Sequence, residues 1–168
     1  MISEELTVGL VVERRELMGQ WGGHAWRPVT VFAVAPDVAA WTPLGGGPGA
    51  SRFYAGEAII HLYSTDTANY RDNLATGVPK LWVVLRSLGR EPPIEVHLVT
   101  ADPSEGEAST EAGDNVVETV AMPAEVAAHI AAFIEAHHVE RPFHKRKRDR
   151  AKADPGWRGG DGGGNRGE

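Results

Sequence analysis

The chain has 168 residues, no cysteine, a hydrophobic share of 42% and a formal charge of −6. Without cysteine it has no disulfide, no thiolate metal ligand, no iron–sulfur ligation and no cysteine nucleophile. The charge is divided: residues 1–140 hold 8 Lys/Arg against 19 Asp/Glu, and residues 141–168 hold 9 against 4. An acidic body of −11 that repels a phosphate backbone argues against nucleic-acid binding by the body, and leaves that role to the basic extension alone.

In chain order, Val8, Leu10 and Val12 alternate along a first strand expected to end at Glu13-Arg14-Arg15-Glu16. A second strand places Val29, Val31, Ala33 and Ala35 on one face and Thr30, Phe32 and Val34 on the other, and Pro36-Asp37 stops it. Ala40-Trp41-Thr42 is a short third. The longest strand pattern runs from Arg52 to Tyr63, with a bulge or bend expected at Gly56. Thr67 to Ala75 reads as a short helix closing at Gly77. Strands follow on Leu81, Val83 and Leu85, and on Ile94, Val96 and Leu98. A helix over Pro103 to Ala112 has Asp102 as its N-cap and Pro at its first position. A last strand covers Val116 to Val120.

The strongest helix spans Pro123 to about His138, where Val126, Ile130, Phe133, Ile134 and His137 recur at three- and four-residue intervals. Six to seven antiparallel strands and a C-terminal amphipathic helix make an α+β fold, a mostly antiparallel barrel or sandwich. The order of elements also fits a pleckstrin-homology-like barrel. Residues 1–140 are read as one β-rich domain and 141–168 as a tail, basic at first, then Gly-rich and expected to be disordered.

The stretches with chemical potential are few. Leu44 to Arg52 (LGGGPGASR) is Gly-rich but leads into a strand, not a helix N-terminus, and matches no phosphate-loop signature; a hairpin connection is expected. His129 and His137 are eight apart and neither has a His three or four residues away to share a metal; His137, His138 and His144 cluster where the last helix meets the tail, as suits rings near a helix C-terminus, while His61 and His97 point away from their apolar neighbours. The loop WGGHAWRP holds Trp21, Trp26 and Arg27, residue types that dominate binding hot spots. The favoured reading is structural: both rings pack over the edge of the barrel and Arg27 stacks on one. No hydrolase signature is present, so no catalytic residue, metal ligand or cofactor is assigned.

The remaining segment is RPFHKRKRDRAK, with Arg141, Phe143, Lys145, Arg146, Lys147 and Arg148 following a helix-ending turn. An aromatic anchor beside mobile cations suits docking on an acidic protein surface. The alternatives are a single-stranded nucleic acid and a solubilising tail folded back on the acidic domain. The apolar runs are strand-sized, short of the roughly 20 residues of a membrane helix. The opening MISEELTVGLVVERRE has acids where a secretory leader carries bases, so a cytoplasmic protein with no membrane contact is expected.

The phrases VGLVVERRE, HAWRPV, RFYAGEAIIHLY, YRDNL, LWVVLR, HLVTADPSEGEA, VETVAMP and AHHVERPFHKRKRDRA resemble a family of uncharacterised bacterial proteins, a domain of unknown function, over roughly residues 6–153. That resemblance implies a gene placed beside molybdenum-dependent formate dehydrogenase, and a label sometimes given as molybdopterin-guanine dinucleotide biosynthesis protein. The guanylyltransferase signature is only shadowed here, by Leu44 to Gly47 with Ser51-Arg52 in mid-chain ahead of a strand.

The expectation is therefore a non-catalytic accessory protein of a molybdoenzyme such as formate dehydrogenase. It would bind a protein partner through Arg141, Phe143 and Lys145 to Arg148, with Trp21, Trp26 and Arg27 as further contacts. The alternatives are an enzyme or carrier handling the molybdopterin nucleotide, with Arg27, Arg52 and the glycine loop as its pocket, and nucleic-acid binding through the tail.

Overall fold

A fourteen-residue strand, β1 (Ser3–Glu16), is the spine of the molecule. The structure, a computed structural model, describes residues 1–111 and 113–140. Val8, Leu10 and Val12 of β1 are wholly buried. The strand takes in the charged run and ends at its last residue, Glu16, because β2 (His24–Phe32) and β4 (Ala50–Tyr63) pair with it antiparallel as far as Glu16 and Arg15. The two-residue β3 (Thr42–Pro43) extends β4, and the first sheet has the order β2-β1-β4-β3. A second antiparallel sheet has the order β6-β5-β7, from β5 (Lys80–Ser87), β6 (Ile94–Thr100) and β7 (Val116–Ala121).

Both sheets contribute to one core. Val8, Leu10, Val12, Ile60 and Leu62 meet Leu81, Val83, Leu85 and Val99 there. The helix α3 (Ala124–His137) adds Val126, Ile130 and Phe133, the stripe expected from its three- and four-residue spacing, and α1 (Thr67–Ala75) adds Tyr70. The fold is thus α+β with a C-terminal helix.

The barrel does not close. β4 passes near β6, and β7 near β2, yet no ladder joins the two sheets among the described residues. β4 gives part of its free edge to β3 and carries a bulge, and β6 carries another at His97. A cleft of about 530 Å³ is left between them, lined by residues that include Glu57, His61, His97 and Leu98. His61 and His97 are exposed, as expected.

Several local expectations hold for a physical reason. Asp102 caps α2 (Pro103–Ala108): its Oδ1 accepts from the Ser104 N–H at 2.8 Å, and Pro103 occupies the first helical position, where its missing N–H costs nothing. A 3-10 turn, Ser109–Glu111, completes that helical stretch. Gly106 lets α2 lie directly on the sheet, since a Cβ there would overlap the Trp82 ring. Asn73, 4% exposed, staples α1 to the second sheet. Its Nδ2 donates to the carbonyls of Lys80 and Ala101, and its Oδ1 accepts from the Lys80 N–H. The Tyr70 hydroxyl accepts from the Tyr63 N–H at 3.1 Å, and burial pushes its phenol up to about 12.

Two strands differ from expectation. β2 covers His24–Phe32, not the expected Val29–Ala35, because it pairs with β1 from Glu16 to Gly9, and a bulge at Val29 shifts its parity, so that Pro28 and Val31, three apart, both turn to the buried face. Pro28, which cannot donate to a ladder, sits on this edge strand next to the bulge. The short third strand is Thr42–Pro43, displaced past Trp41, whose φ of 67° takes it out of strand geometry.

Candidate functional site

Glu13 lies on the outer face of the first sheet, between Arg27 of β2 and Arg52 of β4, and is directly paired with both. Neither arginine would face it in an unbroken ladder. Leu10 pairs with Val31 and with Gly56, and simple counting then sets Arg27 and Arg52 opposite Arg14, on the core side. One extra residue in each flanking strand, Val29 in β2 and Ala55 in β4, turns both arginines to the face of Glu13. The bulge expected at Gly56 is thus present, one residue before it.

The resulting geometry is a carboxylate under three guanidinium groups. Arg27 Nε and Nη2 both lie 3.0 Å from Glu13 Oε1, Arg15 Nη2 donates to the same oxygen at 3.1 Å, and Arg52 Nε donates to Oε2 at 3.3 Å. The Glu13 side chain is 4% exposed, whereas those of Arg15, Arg27 and Arg52 are 59%, 47% and 49% exposed. The carboxylate is hidden by the arginines lying over it. Burial alone would raise its pKa, but the hydrogen bonds from Arg27, Arg52 and Arg15 together outweigh that and hold it below the usual carboxylate range.

On the opposite face of the same strand end, Arg14 lies over Trp26 and Phe53, 5.9 and 5.5 Å from the ring centroids. Trp26 meets Trp41 edge-on at 5.9 Å and Phe53 at 5.8 Å. The expectation that both loop tryptophans pack, with Arg27 stacked on one, is corrected here. Trp26 packs under Arg14, Arg27 goes to Glu13, and Trp21 stands 93% exposed at the β1–β2 turn. The glycine segment is a hairpin connection, closed by Leu44 N–H to the Arg52 carbonyl and Arg52 N–H to the Gly45 carbonyl. Arg14, Arg15, Arg27 and Arg52, half of the bases in residues 1–140, thus collect at one end of the first sheet.

The last described residues sit at the other end. Ser64, next to the Ser3–Tyr63 pair, lines a cleft of about 340 Å³ with Thr67, Arg71, His137, His138 and Glu140. Ten residues of β1 separate Ser3 from Glu13, roughly 33 Å of extended strand. Arg71 Nη1 donates to His138 Nε2 and to Glu140 Oε1, each at 3.0 Å. With Nε2 accepting, the proton sits on Nδ1 and is donated to Thr67 Oγ1 at 3.0 Å, and Thr67 donates to the Ser64 carbonyl. His137 packs on Phe133 with ring centroids 4.7 Å apart. Arg141, Phe143, His144 and Lys145 to Arg148 lie outside the described residues. Among the described residues no group of three His, Asp or Glu is placed to hold a metal ion, and no helix is long and apolar enough to cross a membrane.

A family described as a protein of unknown function, DUF3305, matches residues 7–147. The chain belongs to this family. The matched stretch takes in the whole arginine cluster and continues past α3 through Arg141, Phe143 and Lys147. No curated protein and no solved structure matches the chain. DUF3305 carries no assigned activity. Glu13 as the centre of a three-arginine cluster was missed by sequence reasoning. The signal lay in β1 itself, where Gly9, Val11, Glu13 and Arg15 continue one face without a break.

Proposed function

We propose that this DUF3305 member is a non-catalytic accessory protein that docks on a protein partner through its basic extension, with the acidic domain holding that extension out. The observation that carries the reading is the charge division, −11 in residues 1–140 against +5 in residues 141–168. Two features support it. His138 and Glu140, the described residues just ahead of the extension in sequence, are bonded to Thr67 and Arg71 of α1. Glu13 is held below the usual carboxylate range while Tyr54 and Tyr70 are raised, so none of these three groups is tuned to act as a general acid or base near pH 7.

The resemblance noted above points to a molybdenum-dependent formate dehydrogenase, or its assembly factors, as the partner and to the cytoplasm as the place. A cation-rich segment with Phe143 as anchor recognises an acidic surface with an apolar notch. Truncation after Glu140 keeps the Arg71 contacts and removes the cations. A tagged full-length chain, expressed in its native cell, should bring down formate dehydrogenase subunits identified by mass spectrometry, and the truncated chain should not. Equal recovery by both would refute the reading.

A further inference from the structure

We propose that Arg15, Arg27 and Arg52 form a binding site for a dianionic phosphate group on the outer face of the first sheet. This site uses none of the residues of the basic extension and goes beyond the docking role. One carboxylate needs one guanidinium for neutrality, and here three surround Glu13, leaving two positive charges unbalanced. Gathering like charges costs free energy, and the domain nevertheless places three of its 8 bases around this one carboxylate.

The cluster is also built to present itself. Each guanidinium uses one edge on Glu13 and, with about half of its side chain exposed, turns the rest of its five-donor fork outward. Glu13 acts as the positioning residue that fixes the three planes from below. Arg27 and Arg52 are one strand to either side of it, so their backbones stand about 10 Å apart. Arg15, two residues further along β1, closes the triangle. Ala25 and Ala50, its partners on the flanking strands, leave the approach open.

The residual charge of two and the three separate forks match a group with three terminal oxygens and a double negative charge. A single carboxylate supplies only one of the two negative charges. The side chains rise from paired strands, so little ordering is left to do on binding.

Calorimetric titration of the full chain with inorganic pyrophosphate at low ionic strength tests the site. The wild type should bind at about 1 mM ligand or below, and a double variant, Arg27→Gln with Arg52→Gln, should bind about tenfold more weakly or worse. Arg86→Gln, on the second sheet, should bind as the wild type does, and acetate at equal ionic strength should not compete. No heat from the wild type, competition by acetate, or unchanged affinity in the double variant (which would move the anion to the basic extension) each overturns the proposal. Should the double variant fail to fold, the Nε–Hε resonances of Arg27 and Arg52 in the wild type decide. They should shift on addition of pyrophosphate, and stationary resonances contradict the site.

Discussion

Arg27 and Arg52 face each other across Glu13, and each owes that position to one extra residue in its own strand, Val29 and Ala55 respectively. The two bulges sit on opposite neighbours of β1 and act in the same sense. Together they convert the end of an otherwise amphipathic sheet into a charged platform, while Trp26 and Phe53 remain on the core side beneath Arg14.

Replacing Glu13 with Gln removes the shared acceptor and leaves three guanidinium groups in mutual repulsion. Glu13→Gln should lower stability at pH 7 by about 1–3 kcal/mol, the range for loss of a charged hydrogen-bond partner next to half-exposed arginines. Because the folded carboxyl is held below its unfolded value, its contribution is fully present above the ordinary carboxylate range and is lost as pH falls through the folded value. Thermal melts from pH 7 to pH 3 should therefore show the wild type losing its advantage over Glu13→Gln in the acid range. A constant difference across that range would contradict the ion cluster.

At the alkaline end the sign reverses. The Tyr70 phenol is raised by burial to about 12 from an ordinary 10.0, so the unfolded chain releases its proton first. The stability that Tyr70 confers is complete below pH 10 and should drain between about pH 10 and 12. Urea midpoints of wild type and Tyr70→Phe should differ below pH 10 and converge above it. Parallel curves would show that the hydroxyl does not stay protonated in the fold.

Gly106 is tied to Trp82 by contact, not by backbone conformation. Gly106→Ala should push α2 off the sheet and cost about 1–3 kcal/mol by overpacking, outweighing the helix propensity gained. Differential scanning calorimetry measures this, and a Tm equal to or above the wild type would show that α2 is not seated on Trp82.

Asn73 carries three hydrogen bonds in a nearly closed setting. Asn73→Ala should cost about 2–4 kcal/mol, because two carbonyls and one N–H lose their partner together. Arg71→Gln, at an exposed pair, should cost less than about 1 kcal/mol yet speed amide exchange at His138 to Glu140. The reverse order of the two costs would contradict the roles assigned to these side chains.

Much of the fold is legible in the sequence where a single period governs an element. α1 is found where TANYRDNLA reads as a helix, α3 follows its apolar stripe, and Asp102-Pro103 marks the start of α2. The site is harder to read because it depends on a break in period. Alternation in β2 and β4 cannot reveal that Val29 and Ala55 are each left without a partner on β1, and without those bulges Arg27 and Arg52 would lie on the wrong face. That β1 stays paired through its charged run is hidden for a related reason. A Glu–Arg–Arg–Glu run signals a strand end only if its charges face solvent, and here Glu13 is covered by arginines distant in sequence. The open barrel, too, follows from bulges and edge pairing, which a list of strands does not contain.

The most direct measurement for the docking account reverses the charge of the extension while keeping its length. Lys145, Arg146, Lys147 and Arg148 are each replaced by Glu in the full chain, and recovery of formate dehydrogenase subunits from the native cell is compared with that of the wild type at matched expression. The account predicts that the partner is lost while the thermal transition of the domain is unchanged. Full recovery of the partner by the reversed chain would contradict it.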